Sequence, residues 1–183
     1  MNNHEKIILD LFGGTGSWSK PYKNAGYDVR LITLPENDVM EYIPPQYVYG
    51  ILAACPCEVI SNCAAHLRTQ RTYNLVMKHC AYITRTLIII LETSPTFWCI
   101  ENPPGDAKKL LGPPQYKFQP YEFGEKYTKQ TYLWGKFNPP MKKFTDAVNK
   151  KSNIIENMLA RHRNVKRAIT PASFADAFFE ANK

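Results

Sequence analysis

Lys6 to Gly16 reads KIILDLFGGTG. Ile7, Ile8, Leu9 and Leu11 are apolar on both sides of a two-residue period, as in a strand buried on both faces. The Gly13-Gly14-Thr15-Gly16 loop then turns the chain into a helix over Ser17–Ala25. Pro21 is tolerated in that helix's first turn, and Gly26 ends it. Tyr27–Leu34 alternates as a second strand and stops before Pro35. Tyr47–Ala54 (YVYGILAA) is a third, almost wholly apolar strand. Thr72–Leu91 is the longest helical stretch, with Tyr73, Val76, Cys80, Ile83, Leu87 and Ile90 as its expected core stripe. Phe97–Glu101 (FWCIE) is a further strand, ended by Pro103 and Pro104. Strands alternating with helices, and apolar on two faces, predict an α/β fold with a doubly wound sheet.

After about residue 112 prolines, aromatics and lysines dominate. Thr131–Phe137 reads as a late strand, and Asn153–Arg161 and Pro171–Ala181 as closing helices. Thr170 is the expected N-cap of the second helix, with Pro171 at its first position. No linker divides the chain, so one domain over residues 1–183 is expected.

The composition of the 183 residues is 44% hydrophobic and 21% charged, which excludes a coiled coil, a collagen-like chain or a disordered tail. The longest apolar run, Leu87–Leu91, is too short to span a bilayer, and the polar start Met1–Lys6 fits no signal peptide. A soluble, cytoplasmic protein is the expectation. Five cysteines, an odd number, argue against a disulfide framework. Cys55 and Cys57 have no matching Cys/His pair, so no metal site is expected. The net charge is +7, and residues 140–183 carry 9 basic and 4 acidic residues. That segment reads either as a solvated surface or as a phosphate-facing patch.

Polar motifs follow the strand ends, where an open α/β sheet binds its ligand. Asp10-Leu11-Phe12-Gly13-Gly14-Thr15-Gly16 offers a tight turn and close backbone approach at a helix start. An ordinary strand-to-helix turn would look alike. Ser19 stands where the third glycine of a dinucleotide fingerprint would be, which tilts the reading away from a nicotinamide cofactor. Cys55-Pro56-Cys57-Glu58 follows the third strand. A cysteine there is either a nucleophile or a small hydrophobe. Glu101-Asn102-Pro103-Pro104-Gly105 places a carboxylate where half-burial is costly unless it binds something.

In this order the motifs resemble the DNA cytosine-5 methyltransferase family, with its Asp-Leu-Phe-x-Gly-x-Gly, Pro-Cys and Glu-Asn signatures. The short, phage-type members are more similar still. Their marks are Leu111-Gly112-Pro113 after Glu101-Asn102-Pro103, Tyr127-Thr128-Lys129 leading into Leu133-Trp134-Gly135, and Thr170-Pro171-Ala172-Ser173-Phe174-Ala175. The resemblance covers roughly residues 5–182. It implies a Rossmann-like fold, S-adenosylmethionine as cofactor, and transfer of its methyl group to carbon 5 of cytosine through a covalent Cys57 adduct. Glu101 would stabilise charge on the base and Asn102 would fix the loop holding Glu101. The cofactor would meet Asp10, Phe12, Gly14, Thr15, Gly16 and Asp38, with Thr170 and Pro171 closing the pocket. The implied partner is cytosine-containing DNA, including single strands, held by Lys126, Lys129, Lys142, Lys143, Arg161 and Arg163. Recognition would be weakly sequence-specific or supplied by a partner protein.

The chain also departs from the family. The second strand ends Leu31-Ile32-Thr33 without the ribose-binding acid, for which Glu36 could substitute. Glu58 replaces a glutamine beside Cys57, and a second carboxylate would tend to raise the thiol. Lys126 and Lys129 occupy the segment of the family's Gln-x-Arg-x-Arg. A basic segment, 140–183, stands in place of a large target-recognition domain. These departures suit a catalytically inactive protein that binds nucleic acid or cofactor. Reading Asn102-Pro103-Pro104-Gly105 as the motif of an amino-methyltransferase lacks the stacking aromatic at Gly105.

Overall fold

The computed structural model describes residues 2–62, 72–143 and 169–183. Its strands are β1 (Ile7–Leu11), β2 (Asp28–Ile32), β3 (Gly50–Ala54), β4 (Phe97–Asn102), β5 (Tyr116–Phe118) and β6 (Thr131–Lys136). They form one sheet in the order β2-β1-β3-β4-β6-β5. β1 to β4 run parallel, whereas β6 is antiparallel to both β4 and β5. The helices are α1 (Lys20–Asn24), α2 (Tyr73–Thr93), α3 (Ala107–Leu111) and α4 (Ala172–Asn182). The chain leaves β1 for β2 on one side and returns to β3 on the other. The gap between the ends of β1 and β3 is therefore a topological switch point, where such sheets bind ligands.

The strand period sorts side chains onto two cores. Leu9, Leu11, Ile51, Ala53, Ile100 and Trp134 pack with Ile83, Ile89 and Ile90 of α2. Ile8, Leu52, Phe97, Cys99 and Leu133 pack with Trp18 and Tyr22 and with Phe174 and Phe178 of α4. The doubly wound arrangement predicted from the strand pattern is thus present, with apolar layers on both sheet faces.

The buried face of α2 and the cap of the last helix differ from the sequence reading. The buried side of α2 is His79, Ile83, Thr86, Ile89, Ile90 and Thr93, while Tyr73 is 77% exposed. The stripe rotates because its polar members satisfy themselves. Thr86 donates to Tyr82 O at 2.9 Å, and Thr93 donates to Ile89 O at 2.7 Å. A hydroxyl bonded to the carbonyl of the preceding turn faces a core at little cost. The second correction concerns the last helix, where Pro171 and not Thr170 is the N-cap residue. The 21 residues of α2 are long and apolar enough to cross a membrane. That property is invisible in the short run Leu87–Leu91, and here Ile83, Ile89 and Ile90 enter the core against the sheet while Ile88 and Leu91 are exposed. The expected helix Asn153–Arg161, and most of the basic stretch Lys142–Arg167, lie outside the described residues.

Candidate functional site

The loop after β1 begins with Phe12, whose N–H donates to Ile32 O at 2.9 Å. Phe12, Gly14 and Gly16 have φ of 58°, 54° and 68°. Glycine adopts this left-handed backbone at no steric cost, so the two glycines match the turn. A side chain at Gly14 would point into open space, with nothing within 4 Å. The half-buried Phe12 ring is braced edge-on by Tyr82 of α2, with centroids 5.4 Å apart. Thr15 is exposed and shares a 2.8 Å hydrogen bond with Ser17.

Asp10 lies beneath this loop at 0% exposure. Ser19 Oγ donates to Asp10 Oδ2 at 2.5 Å. Oδ1 has no hydrogen-bond partner among the described residues. Burial outweighs the Ser19 bonds and pushes the carboxyl up to about 6. Ser19 thus stands where a third glycine would, because it satisfies the buried acid.

β2 ends without an acid, and Glu36 is exposed in the turn beyond. Asp38 Oδ1 accepts from Met40 N–H at 2.9 Å. The adjacent Val39 is buried in the α2-side core.

β3 runs out at Cys55-Pro56-Cys57. Cys55 is buried against Thr86, and burial pushes its thiol up to about 12. Cys57 is half-buried. Its carbonyl accepts from Ile60 and Ser61 N–H at 3.2 and 2.9 Å, which starts a turn. The Glu58 carboxylate is largely exposed and turned to His79 Nε2 at 3.1 Å.

β4 pairs Glu101 with Ala54 in register, so the carboxylate stands beside the start of the cysteine loop. Asn102 is buried, and its Nδ2 donates to Cys55 O at 2.9 Å. Glu101 faces Lys129 Nζ at 3.6 Å, and both side chains are less than a fifth exposed. The structure therefore brings Cys57, Glu101, Asn102 and Lys129 to adjacent strand ends.

Thr170 and Pro171 precede α4. Phe174, at the start of that helix, packs on Trp18 with centroids 6.0 Å apart. The start of α4 therefore sits beside the segment that follows Gly16.

Two of the cations expected on phosphates are drawn into the fold instead. Lys129 pairs with Glu101. Lys142 donates to Glu122 at 2.8 Å and to Lys117 O at 3.1 Å, which ties it to β5 and the turn after it. Lys126 and Lys143 are exposed, and Arg161 and Arg163 lie outside the described residues. Sequence reasoning did not find the Lys129–Glu101 contact, the Tyr82 brace or the Glu58–His79 pair. All three join segments remote in sequence, with no local spacing to betray them.

No family model and no curated protein sequence matches the chain. Among solved structures it is similar to that of a prophage-encoded E. coli protein described as a DNA modification methyltransferase. The match has a TM-score of 0.52 at 17% identity and covers 85% of this chain and 56% of the other. The chain thus spans little more than half the length of that protein. With the strand order above, this match shows a Rossmann-like α/β fold of the methyltransferase type.

Proposed function

We propose that the chain is a cytoplasmic, single-domain DNA cytosine-5 methyltransferase that takes its methyl group from S-adenosylmethionine. The observation that carries this reading is the union of two loops. Cys57 follows β3, Glu101 and Asn102 end β4, and Asn102 ties the strands together through Cys55 O at 2.9 Å.

The residues after β1 suit the cofactor. Phe12 offers a braced ring for the adenine, and the open side of Gly14 leaves room for close approach. Asp38 would meet the adenine amino group with the carboxylate oxygen not bonded to Met40. Thr15, Gly16, Thr170 and Pro171 would border the pocket, and Asp10 would hold the loop from below. When bound, S-adenosylmethionine supplies an electrophilic methyl group.

Carbon 5 of cytosine is a weak nucleophile. The target base must first leave any duplex stack to reach Cys57. Cys57 Sγ, as thiolate, adds to carbon 6 and turns the ring into an enamine. Glu101, as the carboxylic acid, donates its proton at ring nitrogen 3, where negative charge develops, and accepts from the exocyclic amine. After carbon 5 is methylated, loss of its proton expels Cys57 and restores the ring. Asn102 keeps Glu101 and the cysteine loop in register. Phosphate contacts fall to exposed Lys126 and Lys143 and to the basic segment beyond.

Covalent trapping on an oligonucleotide bearing 5-fluorocytosine tests the reading. A stable adduct that requires both Cys57 and the cofactor is expected. An adduct in Cys57→Ala, or none from the wild type in the presence of cofactor, would reject it. A second reading, an inactive protein that keeps cofactor or nucleic-acid binding, is favoured by one observation. Lys129 already pairs with the Glu101 carboxylate that the base must meet. Cofactor binding with no adduct would select that reading.

A further inference from the structure

We infer that Gly105 is a positioning residue for Cys57. Its missing side chain lets the loop after β4 lock onto the loop after β3, so both reacting groups ride on one backbone unit. This deepens the methyltransferase reading and rests on it.

A Cβ placed at Gly105 would lie 2.1 Å from Ile60 O and 2.7 Å from Ser61 Cα. Gly105 is absent from the positive-φ glycines, so no left-handed backbone calls for it. The requirement is for space alone. The contact that occupies this space is a small antiparallel bridge between Ser61 and Gly105. Asn62 N–H donates to Pro104 O at 2.7 Å, and Asp106 N–H donates to Ile60 O at 2.7 Å.

These bonds grip the cysteine loop downstream of Cys57, in the same turn whose Ile60 and Ser61 amides bond to the Cys57 carbonyl. Upstream, Asn102 Nδ2 holds Cys55 O at 2.9 Å. Cys57 is therefore bracketed on both sides, by Asn102 at the end of β4 and by the loop that follows it. An alanine at position 105 would meet backbone that is itself hydrogen-bonded and has no flexible end to move aside. The bridge would open and Cys57 would lose its downstream anchor. A displacement of about 1 Å at a reacting atom costs about 100-fold in rate.

Three measurements on the full chain test this. Hydrogen exchange should show the Asn62 and Asp106 amides protected in the wild type and both released in Gly105→Ala, while the amides of β1 and β2 keep their protection. Alkylation of Cys57 by iodoacetamide, read on its peptide by mass spectrometry, should be several-fold faster in the variant. This reaction needs neither base nor cofactor. At saturating 5-fluorocytosine oligonucleotide, the adduct should form about 100-fold more slowly in the variant, with unchanged S-adenosylhomocysteine affinity. Unprotected Asn62 and Asp106 amides in the wild type would overturn the inference without recourse to a variant. So would a folded Gly105→Ala protein with wild-type alkylation and trapping rates. If the wild type forms no adduct, the methyltransferase reading fails, while exchange and alkylation still decide whether Gly105 locks the two loops.

Discussion

Asp10 is a fully buried acid whose carboxyl burial raises to about 6. Because the folded protein holds this proton more tightly than the unfolded chain, Asp10 favours folding at low pH. Its contribution is full below about pH 4 and is lost as the pH rises to about 6, by on the order of 3 kcal/mol. Denaturant unfolding of wild type and Asp10→Asn across this window should show the wild type losing stability relative to the variant as the pH rises. A constant difference would mean that Asp10 titrates normally. The two cysteines of the β3 loop should also separate. Cys55 is sealed against Thr86, with a thiol pushed up to about 12, whereas Cys57 is half-buried at the turn. Cys57→Ala should abolish methyl transfer yet leave S-adenosylhomocysteine binding intact, and Cys55→Ala should keep most activity. Glu101→Gln should lower transfer about 10²–10⁴-fold in single-turnover assays, as for loss of a positioned acid.

Among the elements, the loop between β1 and α1 is where an added side chain would compete with the cofactor. Gly14→Val would force a branched residue into φ 54° and fill the open space above the loop, so titration calorimetry should show S-adenosylhomocysteine binding lost. Helix α4 is held by an aromatic stack, Phe118 on Phe174 with centroids 4.1 Å apart, in which Phe174 is fully buried. Phe174→Ala should cost about 3–5 kcal/mol in chemical denaturation. The strands were legible because β1, β3 and β4 are buried on both faces and consist mainly of Ile, Leu, Ala and aromatics, with Asp10 in β1 and with Glu101 and Asn102 at the end of β4. The face of α2 was read less well. Thr86 and Thr93 count as polar in a sequence, yet each bonds its own helix and packs inward. α3 and β5 escaped notice because five- and three-residue elements carry too little periodicity to detect. In the candidate site, Cys57, Glu101 and Asn102 stood out from their places after apolar strands. Lys129 was expected on phosphate, and its pairing with Glu101 was not legible, since only the antiparallel pairing of β6 with β4 brings its loop back to that strand end.

Methylation of DNA requires a surface that holds its phosphates. Lys129 and Lys142 serve internal partners; phosphate contacts are expected from the exposed Lys126 and Lys143 and from the segment that carries Arg161 and Arg163. Contacts dominated by phosphates give affinity that falls steeply with salt and reads little sequence. Equilibrium binding to unrelated oligonucleotides, single- and double-stranded, should show similar affinities and a strong salt slope. Tight binding to one sequence at high salt would point to base-edge recognition. The central claim is the chemistry at Cys57, and the product nucleoside reports on it most directly. DNA incubated with the protein and isotopically labelled S-adenosylmethionine can be digested to nucleosides and resolved by mass spectrometry. The account predicts labelled 5-methylcytosine, made by the wild type and not by Cys57→Ala. Label on the exocyclic amine of cytosine or adenine, or 5-methylcytosine formed equally by Cys57→Ala, would contradict it.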